Sequence, residues 1–283
     1  MKGLNMQYCI WVVSPPGYVH SSAFDEIATS LNCGISKLGF EAPIVTNVKD
    51  IVGQAIVLGC NLIPQLGLSD IPKNLILFNL EQIHLDSPWM SQSYLNILRS
   101  YPVWDYSYRN IQELKKCGVN NVTYCGIGYE PELTKIPQFE EDIDVLLYGS
   151  LNDRRMEILK ELKNNGLNII GLFGLYGKKR DRYIARSKVI LNIHYYEARV
   201  FEIVRVSYLL ANKKFVISEL GHDNDLEKPF AKGMVFSTYE ELVEKCIEYL
   251  KEESSRKEIA EKGFNLMRQH SQAVFLKHAL GLD

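Results

Sequence analysis

Two carboxylates and two guanidiniums, Glu197, Arg199, Glu202 and Arg205, are set into an otherwise apolar segment, NIHYYEARVFEIVRVSYLLANKKFVISE (192–219). A buried charge is costly unless it is paired, so such groups either satisfy one another or face a ligand. Read as a helix over about 198–211, the segment puts Ala198, Glu202, Arg205 and Leu209 on one face. Glu202 and Arg205 are then spaced i, i+3 and can touch. The two readings are a self-satisfied ion pair that fixes the helix, and polar groups at a cleft where ligand hydroxyls and phosphates complete their bonding. The cleft is favoured, with Glu197 at the mouth of the helix as a third polar group.

A second constellation is YGSLNDRRM (148–156), which reads as a strand end, a turn at Gly149, and a helix entered through Asn152 with two arginines, Arg154 and Arg155, in its first turn. Cations work against the positive end of a helix dipole, and an anion between them removes the conflict. Backbone N–H groups with either arginine would make a diphosphate site; the alternative is two side chains in solvent. LFGLYGKKR adds Gly174 and Gly177 after the next strand, where backbone can approach a ligand or simply turn.

The first half offers fewer groups. His20, in SPPGYVHSS, precedes a helix whose N-cap is expected at Ser21 or Ser22, and a neutral imidazole there could accept a hydroxyl proton. A plain surface histidine is the competing reading. Glu81 and Gln82 follow a strong strand in LFNLEQIH, where a carboxylate beside an amide can orient or deprotonate a sugar-like hydroxyl, or merely satisfy loop backbone. Asp105 ends another strand, and Ser107 is placed to cap the next helix.

These residues need elements to hold them. Short apolar runs alternate with amphipathic stretches throughout, the pattern of parallel βα units. GYEPELTKIPQFEEDID interrupts that pattern with prolines and acids, which sets a boundary near residue 137. The expected organisation is α/β, with two Rossmann-like parallel-sheet domains, residues 1–137 and 138–283. Residues 1–136 carry 9 Lys+Arg and 11 Asp+Glu, against 23 of each in 137–283. The sparser first surface suits an acceptor or an oligomer contact, and leaves room for a homodimer.

Composition narrows the function classes. The 283 residues have a net charge of -2 and a hydrophobic fraction of 46%, enough for substantial cores and against bulk nucleic-acid binding. The first strand lacks a GxGxxG loop, and no P-loop is present. Six cysteines without metal-like spacing read as reduced thiols of a cytoplasmic protein, and no apolar run reaches transmembrane length.

Residues 143–280 resemble the nucleotide-sugar domain of GT-B glycosyltransferases, in particular the spore-maturation (CgeB-like) group. The resemblance rests on the strand-Gly-Arg start, the R-x-F-E pattern at Arg199–Glu202 running into a strand that ends SE, and the stretch MVFSTYEELVEKCIEYLKEESSRKEIAEKGFNLMRQH. In the first half only the layout is similar, including GIGYEPEL where such proteins have an interdomain loop. The resemblance implies an acceptor-side domain over 1–137 and a nucleotide-sugar domain over 138–283, facing each other across a cleft, with the last helix crossing back; Glu202 would hold the donor ribose, and Arg154 or Arg155 the diphosphate. It also implies that Phe173, Gly174, Tyr176, His194, Tyr195 and Tyr196 lie near the nucleobase.

The expected activity is metal-independent transfer of a sugar from a nucleotide-diphosphate donor, UDP-sugar first, to a glycan, lipid-linked or protein hydroxyl, without a cofactor. No DxD-type metal site stands out. Inversion would use His20 or Glu81 as base, whereas in a retaining reaction the leaving phosphate could take the proton. The alternatives are a nucleotide-sugar epimerase on the same fold and a non-catalytic glycan- or protein-binding module.

Overall fold

The computed structural model describes residues 7–84, 87 and 90–283. The chain divides into two compact units, Met1–Glu132 with His270–Asp283, and Leu133–Gln269.

The first unit is built on β1 (Tyr8–Val12), β2 (Ile44–Val45), β3 (Gln54–Leu58), β4 (Leu75–Asn79), β5 (Val103–Asp105) and β6 (Val122–Tyr124), all parallel, in the order β2-β1-β3-β4-β5-β6. β1 and β4 are buried at every position, as uninterrupted apolar runs covered on both faces must be. α1 (Asp25–Lys37), α2 (Gln92–Ser100) and α3 (Tyr108–Lys116) follow their strands, and the chain's closing helix, α10 in chain order (Gln272–Ala279), packs on α1. That contact needs Gly34, since a Cβ there would lie 2.7 Å from Leu276 Cδ1. Gln272 is buried in the same seam, accepting from the Gly128 N–H (2.7 Å) and donating to the Gly126 carbonyl (3.1 Å).

The serines expected to cap α1 do not. Residues Val19–Phe24 form a 3-10 turn, α1 starts at Asp25 without a side-chain cap, and the Ser21 hydroxyl instead donates to the Val13 carbonyl (2.8 Å). That bond ties the turn back to the strand end.

The second unit contains β7 (Ile143–Tyr148), α4 (Asp153–Asn164), β8 (Ile169–Leu172), α5 (Gly177–Ala185), β9 (Ser187–Asn192), α6 (Ile203–Ala211), β10 (Val216–Glu219), α7 (Asn224–Glu227), β11 (Val235–Ser237), α8 (Leu242–Leu250) and α9 (Glu253–Arg268). Its strands are parallel in the order β11-β10-β9-β7-β8. Its core joins Val145, Leu147, Val189, Leu191 and Ile217 to Ile158, Leu162, Leu242 and Cys246.

Counted within each unit, both sheets run 2-1-3-4-5, with one further strand in the first. In such a sheet the strand order reverses beside the first strand, and ligands bind at that point, outside the carboxyl ends. The reversals fall between β1 and β3, and between β7 and β9.

The helix expected from about 198 begins only at Ile203. Arg199 has a left-handed backbone (φ 44), and its carbonyl accepts from the His222 N–H (2.8 Å). Ala198, Val200 and Phe201 are buried as a loop plug, so their apolar pattern imitates a helix turn. Ala198 therefore shares no helical face with Arg205, and Glu202 stands at the N-cap position of α6.

All six cysteines are unpaired thiols. Among the described residues, no helix is long and apolar enough to cross a membrane.

Candidate functional site

In the second unit the reversal between β7 and β9 gathers most of the expected donor residues. Gly149 follows β7 with φ 120, and a Cβ there would lie 3.0 Å from Arg205 Nη2 and 3.4 Å from Arg155 Nη1. The missing side chain lets two guanidiniums close over the strand end. Asn152 caps α4, its Oδ1 accepting from the Arg155 N–H (3.0 Å), while its Nδ2 donates to the Tyr195 carbonyl (3.3 Å). One amide thus joins the β7 and β9 loops.

Neither arginine at the start of α4 is left to solvent. Arg155 is 1% exposed and donates to the carbonyls of Ser150 (Nη1, 2.7 Å) and Ile193 (Nε, 2.9 Å), with Nη2 3.4 Å from Glu202 Oε1. Burial pulls its pKa down to about 10, against the opposing pull of Glu202, so it stays cationic. Arg154 donates from Nη2 to Glu219 Oε1 (2.5 Å) and from Nη1 to the His194 carbonyl (3.1 Å), and lies over the Tyr239 ring at 4.3 Å. Burial would lower Arg154, but Glu219 outweighs it and holds the guanidinium above its ordinary range.

Glu202 lies between two cations, Arg155 and Arg205, the latter with Nη1 3.5 Å from Oε2. Burial alone would raise its pKa, but Arg205 and Arg155 outweigh that and hold it below the usual carboxylate range. Its Oε2 is buried without a hydrogen bond, and both ring nitrogens of fully buried His194 are in the same condition. Burial lowers the His194 pKa, only partly countered by Glu202 and Glu219, so the imidazole is neutral. Buried polar atoms without partners are rare in folded proteins, and these three lie in the connection from β9 to α6.

Glu219, which ends β10, was not singled out from the sequence. It accepts from the His194 N–H (3.0 Å), pairs with Arg154, and has Arg199 Nη1 at 3.8 Å. Asn192, which ends β9, was also missed; its Oδ1 accepts from Arg205 Nη1 (3.2 Å). A polar residue closing an apolar strand was the available signal for both. Four guanidiniums thus face two buried carboxylates, with the exposed Glu197 a third acid that acts on Arg154.

The remaining donor candidates line neighbouring loops. Tyr195 and Tyr196 meet edge to face at 4.8 Å, with Arg155 over the Tyr195 ring at 5.4 Å. Phe173 is exposed, Gly174 is left-handed (φ 71), Tyr176 is the N-cap residue of α5, and Glu197 is exposed.

In the first unit, the half-buried His20 meets Tyr18 edge to face at 5.3 Å. Glu81 follows β4, its Oε1 accepting from Asn61 Nδ2 (3.2 Å), a residue just after β3. Burial raises the Glu81 pKa to about 7, Asn61 pulling part of it back. Gln82 and Asp105 are buried. Asp105 accepts from Asn79 Nδ2 (2.6 Å), Asn110 Nδ2 (3.2 Å) and the Ser107 N–H (2.9 Å), which makes it a brace for loops. Ser107 caps α3, its hydroxyl accepting from the Asn110 N–H (3.2 Å).

The chain shares its fold with solved structures. The chain is similar to HepE of Anabaena in complex with UDP-glucose (TM-score 0.63, 9% identity, 98% of this chain and 99% of that chain). It is also similar to sucrose-phosphate synthase from Thermosynechococcus elongatus (TM-score 0.63, 10% identity, 98% of each chain). A third is WaaG, a glycosyltransferase involved in lipopolysaccharide biosynthesis (TM-score 0.60, 11% identity, 97% and 99%). The fold is that of GT-B glycosyltransferases. No family model matches the chain. Curated relatives are uncharacterized proteins of Acanthamoeba polyphaga mimivirus, one 28% identical over 185 residues and another 34% identical over 160. The alignments cover 62% and 53% of this chain, which spans 59% and 18% of the length of those two relatives.

Proposed function

We propose that this GT-B-fold protein is a glycosyltransferase that takes its sugar from a nucleoside-diphosphate donor, UDP-sugar first, and delivers it to a hydroxyl acceptor. The observation that carries this reading is the cluster of four guanidiniums and two buried carboxylates at the strand-order reversal of the second unit. Its surplus of guanidiniums over carboxylates suits a diphosphate, and Glu202 Oε2, near Arg205 but without a hydrogen bond, is suited to a ribose hydroxyl. The UDP-glucose bound to HepE supports the choice of donor. The R-x-F-E pattern at Arg199–Glu202 further supports membership of the spore-maturation group.

In this reading Arg205, about a quarter exposed at its side chain, meets the diphosphate, while buried Arg155 holds the loops that present it. As the bond from the anomeric carbon to the diphosphate breaks, charge grows on the leaving phosphate, and fixed cations there lower the barrier. The arginines supply this charge without a divalent ion, so EDTA is expected to leave the rate unchanged; a rate lost to EDTA and restored by magnesium would refute metal independence.

The direct test is UDP binding by calorimetry. Arg205→Ala and Glu202→Gln should each weaken UDP by roughly 10- to 100-fold, the loss of a charge-assisted contact. Wild-type protein that shows no UDP affinity, or variants that bind as well as wild type, would refute the site.

A further inference from the structure

We propose that Tyr148 is the positioning residue for Arg205: its ring supports the guanidinium that meets the donor diphosphate, and Arg180, fixed by Asp181 and Tyr208, packs on the same ring. The proposal rests on the glycosyltransferase reading and adds to it the groups that aim one of its cations.

Tyr148 is the last residue of β7. Successive side chains of a strand point to opposite faces, and Val145 and Leu147 join the core formed with α4 and α8. Tyr148 therefore faces the other side of the sheet, where α5 packs on β7 and β9, and α6 on β10. Its half-buried ring lies under two guanidiniums, Arg205 of α6 at 5.3 Å and Arg180 of α5 at 5.9 Å. Arg180 also lies over the Tyr208 ring, at 4.9 Å.

Arg180 and Asp181 are a buried ion pair outside the donor cluster. Taking two charges out of water is unfavourable unless each has fixed partners. Arg180 donates to Asp181 Oδ1 from Nε (3.2 Å) and Nη2 (2.8 Å), and the Tyr208 hydroxyl donates to Asp181 Oδ2 (2.9 Å). Asp181 thus neutralises Arg180, and the guanidinium reaches Tyr148 as a fixed group. Tyr208 follows Arg205 on α6 at i, i+3, so the buried pair and the donor-site arginine are tied to neighbouring positions of one helix.

Arg205 needs such support. Among the described residues it makes one hydrogen bond, from Nη1 to Asn192 Oδ1 (3.2 Å), and the same nitrogen lies 3.5 Å from Glu202 Oε2. Its Nη2 faces Gly149, where a Cβ would come within 3.0 Å. Contacts at one nitrogen do not fix the plane of a guanidinium, whereas an aromatic face beneath it does. A fixed plane is what a two-pronged grip on phosphate oxygens requires.

The experiment is a double-mutant cycle read by calorimetry with UDP, with thermal melting in parallel. Tyr148→Leu should weaken UDP roughly 3- to 30-fold, the range of a cation–π contact, and Tyr148→Phe, which keeps the ring, should restore the affinity. In an Arg205→Ala background Tyr148→Leu should have no further effect, because a residue that acts through Arg205 then has nothing to aim. Asp181→Asn, which releases Arg180, should weaken UDP in the same background-dependent way, and it carries the test if Tyr148→Leu does not fold. Wild-type protein without UDP affinity overturns the glycosyltransferase reading and this assignment with it. With wild-type binding intact, three results overturn the assignment alone: unchanged affinity in Tyr148→Leu, no restoration in Tyr148→Phe, or equal losses with and without Arg205. The last is the outcome for a ring that only fills space, which would lower the melting temperature in both backgrounds alike.

Discussion

Arg155 and Arg205 have the same head group and opposite situations. Arg155 spends its donors on the carbonyls of Ser150 and Ile193, so its replacement by alanine should cost stability before it costs affinity, by about 3–5 kcal/mol for breaking a buried pair. Denaturant unfolding would show this as a lowered midpoint of the second unit. Glu81 makes the converse prediction. Its folded pKa lies above that of the unfolded chain, so the folded state binds the extra proton and stability falls as pH rises through about 7. Glu81→Gln should therefore melt higher than wild type above that pH, by roughly 2–4 °C for each kcal/mol relieved, and the gain should vanish in mild acid. Paired melting curves at the two pH values check the sign.

The β7–α4 turn depends on a residue without a side chain. In Gly149→Ala the new Cβ meets the Arg205 guanidinium at 3.0 Å in a backbone region that L-residues rarely adopt. The expected cost is about 1–3 kcal/mol, together with weaker UDP binding as Arg205 is displaced. Thermal melting and calorimetry read the two effects separately. Strands and most helices were legible because buried parallel strands are continuous apolar runs and their helices carry a polar face. The start of α6 was not, because Ala198, Val200 and Phe201 fill a buried loop and so look like a helix turn. At the site, Glu202, Arg155 and Gly149 could be picked out from charge in apolar surroundings and from glycine at a strand end. Asn79, Asn110 and Glu219 could not be ranked, since what distinguishes them is which distant loop each one reaches, and that depends on strand order.

Across the whole molecule, both units share one winding order, and each gathers polar residues near its own reversal: arginines with carboxylates in the second, Glu81 and Asn61 in the first. The first unit is discontinuous in sequence, because α10 supplies Leu276 and Gln272 to its seam with α1 and the Gly126–Gly128 backbone. A chain ending at Gln269 should keep the second unit and lose the first. Limited proteolysis should leave a resistant fragment over 133–269, and UDP binding should survive in that fragment. The same seam imposes a timetable during synthesis. The stretch up to Glu132 cannot complete its fold until His270–Asp283 has emerged from the ribosome, while the second unit, contiguous in sequence, can close beforehand. For all that time the face of α1 at Gly34 that Leu276 covers stays open, so a translational pause just before residue 270 should expose the nascent chain to aggregation more than a pause before residue 133.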